Sequence, residues 1–304
     1  MGENIKNLSS YIKLIRLKHS VKNMLIFLPL IYSGNFFVQD KVFHAVIAFI
    51  TFTLAASAVY VINDIKDKDL DAKHPRKKYR PVASGAITVK SAWLFASLLL
   101  ISAGILQLAF NGSAVTSTVI LAVYVIINLL YSQWFKNIPI VDVAIIAIGF
   151  ILRVYYGGEV IGVEISQWLS MVILVFSLYL GFGKRQGEIK SGRGHTRSVN
   201  KYYTKEFLDK NMFVSLTLTI VFYALWTFEA SEKYEYLFWT LPLVIIIMTL
   251  YSFNIEKPGA EGDPASVLFG DRVLMSLVCV YVLSIVGIMP AFNGSKITKQ
   301  TMIT

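Results

Sequence analysis

Long apolar stretches recur along the whole chain and are separated by shorter polar segments. Each is close to the ~20 residues that an α-helix needs to cross a bilayer. Nine such stretches lie at residues 21–38, 42–62, 91–110, 114–132, 139–157, 167–182, 211–229, 235–252 and 272–292. The first and the sixth are short, and we expect them to tilt or to enter the membrane only partly. The pattern predicts an all-α, polytopic membrane protein with about nine transmembrane helices, forming a single integral membrane domain over residues 1–304.

Positive charges are concentrated in alternate polar segments. If the N-terminus is cytoplasmic, the inner segments hold 24 of the 29 Lys and Arg residues: 1–22, 63–90, 133–138, 183–210 and 253–272. Because cationic loops stay in the cytoplasm, we predict a cytoplasmic N-terminus and a multi-pass protein of the cell membrane. The two long inner segments, 63–90 and 183–210, are predicted to be cytosolic active-site loops. The net charge of +10 fits this topology and an anionic substrate equally well.

The composition excludes several classes of protein. Hydrophobic residues make up 55% of the chain and charged residues only 16%, whereas average chains carry about 25% charged residues. A soluble enzyme, a disordered chain and a collagen-like repeat are therefore excluded. The single Cys279 cannot form an intrachain disulfide. Nucleic-acid binding has no support beyond the net charge, and no zinc-binding spacing or nucleotide-binding P-loop is present.

An acidic motif follows the second apolar stretch. Asn63, Asp64, Asp67 and Asp71 form the pattern N-D-x-x-D-x-x-x-D. If the helix continues beyond the membrane, offsets of three and four residues place the aspartates on one face, where like charges repel. Mg²⁺ would compensate for them, since it usually takes one or two carboxylates together with water and substrate phosphates. The motif predicts a Mg²⁺ site for a diphosphate, the alternative being a solvated helix end neutralised by neighbouring lysines.

Basic residues follow the acidic motif directly. His74, Pro75, Lys77, Arg80 and Pro81 come next, and the prolines are expected to interrupt the helix and fold the cations back beside the carboxylates. Carboxylates beside lysine and arginine are a common electrostatic arrangement for phosphate chemistry. We therefore take Lys77 and Arg80 as phosphate-binding candidates. His74 is interpreted as a capping or hydrogen-bonding residue rather than a metal ligand.

Five longer segments carry a resemblance to a known family. They are RLKHSVKNMLIFLPLIYSG from Arg16, NDIKDKDLDAKHPRKKYRPVASG from Asn63, YSQWFKNIPIVDVAIIAIGFILRVYYGG from Tyr131, SLYLGFGKRQGE ending at Glu188, and GDPASVLFGDRVL. These segments resemble the UbiA superfamily of intramembrane prenyltransferases, which implies a UbiA-like helical bundle. The aspartate motif is specific for the superfamily, and its combination with K-R-x-x-E resembles the branch of decaprenyl-phosphate phosphoribosyltransferases. Leu17, His19 and Ser20 depart from the family's first segment and leave the backbone shape there open.

The second half of the chain distinguishes between branches of the superfamily. Aromatic prenyltransferases carry a second aspartate-rich motif after the sixth helix, where this chain has Lys184, Arg185 and Glu188. Such cations suit the anionic head of a prenyl monophosphate better than a neutral phenol, although they also fit two more cytoplasmic charges. The resemblance implies transfer of 5-phosphoribose from phosphoribosyl diphosphate (PRPP) to a polyprenyl phosphate, with release of diphosphate.

The implied reaction assigns a role to each group of candidates. The catalytic and metal-binding candidates would hold Mg²⁺ on the leaving diphosphate: Asp64, Asp67 and Asp71, together with Asn63. Lys77 and Arg80 would bind the same sugar phosphate. Lys22, Lys184 and Arg185 would hold the prenyl phosphate, with Arg16 and Lys18 as further candidates. Glu188 is also taken as a substrate-binding residue. Because the attacking phosphate oxygen is already an anion, attack needs positioning more than a general base.

Four more substrate-binding candidates surround the fifth apolar stretch: Tyr131, Lys136, Asp142 and Arg153. An ionisable group within a span is costly to bury and is a functional candidate by default. Asp142 could instead be solvated or paired with Lys136, and Arg153 either faces a cavity or snorkels outward. The segment at residues 192–206 is either a mobile cover for the site or, as its glycines slightly favour, an ordinary loop.

Two other functions stay open at this stage. One is an aromatic prenyltransferase that uses a prenyl diphosphate, and the other is a membrane transporter, because many spans with intramembrane charge would suit one. The expected partners are PRPP, a polyprenyl phosphate and the bilayer, without nucleic acid; a homo-oligomer is compatible with the sequence.

Overall fold

The computed structural model describes residues 2–73, 77–110, 115–191, 198–257 and 264–289. Nearly all of this described chain is helical, and it contains no β-strand. The prediction of an all-α protein is confirmed. The α-helices are α1 (Gly2–Ile15), α2 (Leu28–Tyr32), α3 (Gln39–Lys66), α4 (Lys68–Ala72), α5 (Val89–Phe110), α6 (Val115–Gln133), α7 (Val141–Ile161), α8 (Gln167–Lys190), α9 (Lys205–Ser231), α10 (Leu241–Glu256), α11 (Pro264–Gly270) and α12 (Arg272–Ile288).

Seven helical segments of the described chain are long and apolar enough to cross a membrane. They are α3, α5, α6, α7, α8, α9 and the segment Leu237–Glu256, which includes α10. The first and ninth predicted stretches correspond to shorter apolar helices at Ser20–Tyr32 and Arg272–Ile288. The sixth predicted stretch is not short, because its helix continues for 24 residues through the polar residues up to Lys190. The protein is therefore a multi-pass membrane protein.

Both predicted cytosolic segments begin inside helices. Helix α3 extends to Lys66 and α4 follows at once, so the acidic motif within residues 63–90 is mostly helical. Helix α8 likewise covers the first part of residues 183–210 and brings Lys184, Arg185 and Glu188 onto consecutive turns. The candidate site residues of these two motifs therefore lie at helix ends, where the backbone restricts their positions more than a loop would.

The chain divides into two compact units, each with its own core. The first unit comprises Met1–Leu28, Phe43–Gln133 and Leu152–Gly162. Its helices approach one another closely because α3 presents several alanines to the core. A Cβ atom at Gly157 would lie 2.1 Å from the backbone oxygen of Ile26, so this position requires glycine.

The N-terminal part of the first unit contains an unusual helix. Leu17–Phe27 forms a 3₁₀ helix of 11 residues, although such helices seldom exceed three or four residues. Arg16 precedes it with φ of 54°, in the left-handed region that non-glycine residues seldom adopt. Leu17 and Ser20, which depart from the family's first segment, lie in this helix. The sequence left the backbone shape of this segment open, and the structure shows a 3₁₀ helix that begins after Arg16.

The second unit comprises Pro29–Val42, Trp134–Ile151 and Val163–Thr304. Helices α8 and α9 pack along each other, and α10 and α12 complete the core. A Cβ atom at Gly181 would lie 2.5 Å from Cγ1 of Val143, so α8 lies close against the first turn of α7. This close packing brings the polar end of α8 beside Asp142.

Candidate active site

The first cluster is formed by the acidic motif within the first unit. Asp64 lies in the last turn of α3 and Asp71 in α4, and both carboxylates are buried. The helix does not continue uniformly as predicted, because Asp67 is the N-cap of α4 and leaves helical geometry, with φ of −88° and ψ of 7°. Asp64 and Asp71 nevertheless converge, and Arg80 Nη1 lies 3.2 Å from Asp64 Oδ1 and 2.5 Å from Asp71 Oδ2.

Arg16 is the second guanidinium of this cluster. It donates a hydrogen bond to Asp64 Oδ1, and its Cζ lies 5.4 Å from the centre of the Tyr60 ring. Burial lowers the pKa of the Arg16 guanidinium, and the Asp64 carboxylate opposes this shift. From the sequence, Arg16 was the start of a family-like segment and a further candidate for the prenyl phosphate, with no predicted link to the acidic motif. Its pairing with a carboxylate 48 residues away has no local sequence signal.

The remaining residues of the acidic motif and its basic partners are more accessible. Lys77 is about two-fifths exposed at its side chain, and its Nζ lies 3.8 Å from Asp71 Oδ1. Asp67 is partly exposed. The structure therefore brings Lys77 and Arg80 to Asp71, as the prolines led us to expect, while His74 lies outside the described residues.

The donor atoms of this cluster fit a hard divalent cation. Asn63 Oδ1 is buried and accepts no hydrogen bond from the described chain, which leaves one oxygen ligand without a partner beside Asp64. Carboxylate and amide oxygens are suitable ligands for Mg²⁺. The described residues contain no group of three or more His, Cys, Asp and Glu side chains arranged around a common metal position. A cation at Asn63, Asp64 and Asp71 would therefore take the rest of its ligands from water or substrate.

The second cluster, in the second unit, surrounds Arg185. Its side chain is completely buried; Nε donates to Asp142 Oδ2 at 2.8 Å and Nη1 donates to Glu188 Oε2 at 2.8 Å. Asp142 is also fully buried, so the alternative that it is solvated is excluded. The contact of Arg185 with a substrate phosphate stays a prediction, and in this structure the side chain has no exposed surface.

Two residues that the sequence analysis did not select complete the second cluster. Tyr203 donates its phenolic hydrogen to Asp142 Oδ1 at 2.5 Å, and Asn200 Nδ2 donates to Glu188 Oε2 at 3.1 Å. Burial and the hydrogen bond to Asp142 raise the pKa of Tyr203 well above its usual value. Both residues belong to the stretch that we interpreted as a mobile cover or an ordinary loop. Its first six residues, 192–197, lie outside the described chain.

Arg153 forms a third polar cluster, within the first unit. Only 6% of this residue is exposed, so it does not snorkel outward. Its Nε donates to Asn23 Oδ1 and its Nη2 to Tyr124 Oη, both at 2.8 Å. The guanidinium also lies over the rings of Phe52 and Tyr124, where the π-electron faces stabilise its charge. Arg153 therefore holds three helical segments of this unit together.

The other candidates are half-buried. They are Lys22, Tyr131, Lys136 and Lys184. Lys184 lies on the exposed side of the α8 turn whose buried side carries Arg185, so it is the cation of the K-R-x-x-E motif that a ligand could reach. The sequence predicted that Lys184 and Arg185 both bind the prenyl phosphate. As consecutive residues of one helix they point in different directions, so Arg185 is buried and Lys184 is only half-buried.

These features define a class of protein: a multi-pass, all-helical membrane protein with carboxylates and cations clustered at helix ends. The particular family follows from comparison with known proteins. The profile of the UbiA prenyltransferase family matches residues 27–269, and the chain belongs to this family.

Individual relatives and solved structures agree with this membership. The chain is 34% identical to decaprenyl-phosphate phosphoribosyltransferase from Corynebacterium glutamicum, over 94% of this chain and 90% of that protein. It is 29% identical to decaprenyl-phosphate phosphoribosyltransferase from Mycolicibacterium smegmatis, over 91% of this chain and 92% of that protein. A UbiA homolog from Archaeoglobus fulgidus, solved bound to GPP and Mg²⁺, has a similar fold, with a TM-score of 0.70 and 19% identity over 91% of this chain and 99% of that one.

Proposed function

We propose that this protein transfers 5-phosphoribose from PRPP to a polyprenyl phosphate, giving polyprenyl-phosphoryl-5-phosphoribose and diphosphate. The carrying observation is similarity over nearly the whole chain to relatives named decaprenyl-phosphate phosphoribosyltransferase. The geometry is consistent with this chemistry, because a buried carboxylate pair and accessible basic side chains form one cluster. The reaction breaks the bond between ribose C1 and the diphosphate oxygen and forms a bond from C1 to a prenyl phosphate oxygen.

The acidic cluster is the proposed site of the leaving diphosphate. Lys77 and Arg80 would bind the phosphate groups, exchanging part of their contact with Asp71 for the more highly charged ligand. Arg80 is suited to this exchange because about a quarter of its side chain is exposed. Asp67, which is partly exposed at the break between α3 and α4, would face the same ligand.

Asn63, Asp64 and Asp71, with Asp67, are the residues that we propose to hold Mg²⁺. The ion would neutralise the charge that develops on the diphosphate as the C1–O bond breaks. The partnerless Asn63 Oδ1 supports this assignment, because a buried acceptor without a donor destabilises the protein unless a ligand satisfies it.

Contact with the prenyl phosphate is assigned to Lys184 in the second unit, while Lys22 in the first unit stays a proposed substrate-binding residue. Both are half-buried basic residues, and a prenyl phosphate oxygen that is already charged needs to be held in position rather than deprotonated. Arg185 is reassigned from ligand binding to orienting the end of α8, since its two ion pairs enclose it. The other proposed substrate-binding residues are Tyr131 and Arg153 in the first unit, and Lys136, Asp142 and Glu188 in the second.

We further propose that the protein forms a single integral domain of the plasma membrane and that its active site faces the cytoplasm. The distribution of lysine and arginine supports a cytoplasmic N-terminus. PRPP is a soluble, charged metabolite of the cytosol, so a cytoplasmic site would give it direct access.

Diphosphate release by the purified protein in detergent tests the function. PRPP, MgCl₂ and a polyprenyl monophosphate are supplied together, and each is then omitted in turn. Release that requires all three supports phosphoribosyl transfer. Turnover of a prenyl diphosphate with an aromatic acceptor, without use of PRPP, would instead make the protein an aromatic prenyltransferase.

A further inference from the structure

The short segment before α9 contacts both carboxylates that hold Arg185. This segment contains a 3₁₀ helix at Ser198–Tyr202, followed by Tyr203. Asn200 Nδ2 donates to Glu188 Oε2 at 3.1 Å, and Tyr203 Oη donates to Asp142 Oδ1 at 2.5 Å. Each of the two carboxylates that pair with Arg185 therefore accepts a hydrogen bond from one side chain of this segment.

Tyr203 makes a second contact that couples it to the backbone before α7. Its Oη accepts a hydrogen bond from the Ile140 backbone N–H at 2.7 Å. Ile140 has φ of 69°, a left-handed conformation that is strained for a β-branched residue. The Asn137 side chain is held 2.7 Å from Ser198 Oγ. The segment before α9 thus keeps the entry to α7, and with it Asp142, in a conformation that the local chain does not favour.

The burial of Asn200 is unfavourable unless its side chain does more than stabilise the fold. It is only 4% exposed, and its Oδ1 accepts no hydrogen bond from the described chain. A buried amide satisfied on one side contributes little net stability, because the unsatisfied oxygen loses its hydration. Its retained contact is the one with Glu188, which suggests that orientation of Glu188 is what Asn200 provides.

Orientation of this part of α8 has a direct consequence for Lys184. Lys184 and Glu188 are four residues apart and lie on the same helical face, whereas Arg185 points into the core. Two contacts from outside α8 fix the rotation of this turn: Asp142 of α7 pairs with Arg185, and Asn200 donates to Glu188. A small rotation would displace the Lys184 ammonium group from whatever anion it binds.

We propose that Asn200 and Tyr203 are positioning residues, which hold the Arg185 ion pairs and thereby place Lys184 for the phosphate of the polyprenyl substrate. This inference rests on the proposed function for the identity of the lipid substrate. In this proposal residues 198–206, the described part of the stretch at 192–206, hold α8 and α7 in place. We call this segment the clamp. Neither residue contacts a substrate in this proposal.

Kinetics of Tyr203→Phe, with Tyr202→Phe as the matched control, test the proposal. Phenylalanine keeps the ring and removes both hydrogen bonds, while Tyr202 is an exposed neighbour in the same segment. Because loss of one such hydrogen bond is worth about a tenfold change in an equilibrium constant, we expect KM for the polyprenyl phosphate to rise about tenfold. KM for PRPP should change less than about twofold on the same reasoning, and Tyr202→Phe should match the wild type. Equal changes in both KM values, or none, would overturn the proposal.

A binding measurement separates this proposal from the proposed function. The affinity of each detergent-purified variant for a short-chain polyprenyl monophosphate is measured without PRPP. A tenfold loss confined to Tyr203→Phe supports the clamp even if the wild type fails to consume PRPP, which would reject the function alone. Equal affinity of all three proteins would reject the clamp.

Asn200→Ala provides a second route if Tyr203→Phe does not fold. It removes only the donor to Glu188 and no part of the Ile140 contact. We expect the same selective rise in KM for the lipid, by a smaller factor, at an unchanged thermal unfolding midpoint. A lowered midpoint with both KM values unchanged would show a structural role and overturn the proposal.

Discussion

The acidic cluster and the Arg185 cluster use the same residue types in opposite arrangements. In the acidic cluster the carboxylates of Asp64 and Asp71 are buried, while the basic partners remain between about one-fifth and two-fifths exposed. In the Arg185 cluster the cation is completely enclosed, and its carboxylates are supported by Asn200 and Tyr203.

This difference separates an exchangeable site from a fixed one. A partly exposed cation can leave a carboxylate for a phosphate at little cost in solvation, because water and ligand can reach it. A buried cation that loses one partner leaves an uncompensated charge in a low-dielectric interior. We therefore expect changes in the acidic cluster to affect turnover, and loss of the buried Arg185 charge itself to affect stability first.

The largest effect is expected for Asp71→Asn. It keeps the shape of the side chain and removes the charge that pairs with Arg80, so kcat should fall by about 10³-fold, as for loss of a key electrostatic group in other active sites. Diphosphate release with all three components measures it. Asp69→Asn is the matched control, since Asp69 is exposed on the same short helix. Wild-type turnover by Asp71→Asn would contradict the site assignment.

Arg185→Met should mainly destabilise the protein. It leaves Asp142 buried without its cation, which costs about 3 kcal/mol or more in other proteins. The thermal unfolding midpoint in detergent measures this effect, and Lys210→Met, which removes an exposed cation from α9, is the control. The double variant Arg185→Met/Asp142→Leu should recover part of the loss. An unchanged midpoint for Arg185→Met would contradict the view that the Arg185 cluster is fixed while the acidic cluster is exchangeable.

Arg80→Lys should have a smaller effect on turnover. Nη1 alone contacts both Asp64 and Asp71. The planar guanidinium also presents N–H groups that suit bidentate phosphate binding, whereas an ammonium is a point charge. We expect kcat/KM for PRPP to fall about tenfold, corresponding to one lost charge-assisted hydrogen bond. Lys78→Met, at an exposed neighbouring position, should leave kcat/KM unchanged. Equal effects of the two substitutions would indicate a general charge effect.

The smallest effect concerns the pH dependence of stability. Burial and the hydrogen bond to Asp142 raise the pKa of Tyr203 above its unfolded value of 10.0. The stabilisation is therefore fully present below pH 10 and is lost as the pH rises through the folded-state pKa. Unfolding midpoints measured from pH 8 upward should fall more steeply above pH 10 for the wild type than for Tyr203→Phe. Parallel curves would show that Tyr203 does not titrate with unfolding.

The sequence was sufficient for the membrane class and for most helices, because apolar runs of bilayer length are a local property of the chain. Its prediction for the sixth span failed in one respect. Polar residues at the end of α8 suggested a short span, yet the helix continues through them because Arg185 is neutralised by Asp142 and Glu188. Hydropathy alone cannot register an ion pair between residues 43 positions apart.

The acidic site was only partly predictable. The spacing of Asp64, Asp67 and Asp71 indicated one helical face, but α3 ends before Asp67, and Asp64 and Asp71 converge through Arg80 instead. Arg16 joins them from the N-terminal segment. The residue types of the cluster were visible in the motif, whereas the identity of the ion-pair partners depended on the folding of the intervening chain.

The sequence by itself determined the all-helical membrane architecture, the basic segments between the apolar stretches and the family-like acidic motif, since each depends on composition and spacing within a short window. Only the tertiary structure decided that Arg185 is enclosed while Lys184 is accessible, and that Asn200 and Tyr203 hold the carboxylates around Arg185. These decisions depend on which groups become buried together. A buried charge or polar group must find its partner wherever the fold brings one, at any distance along the chain.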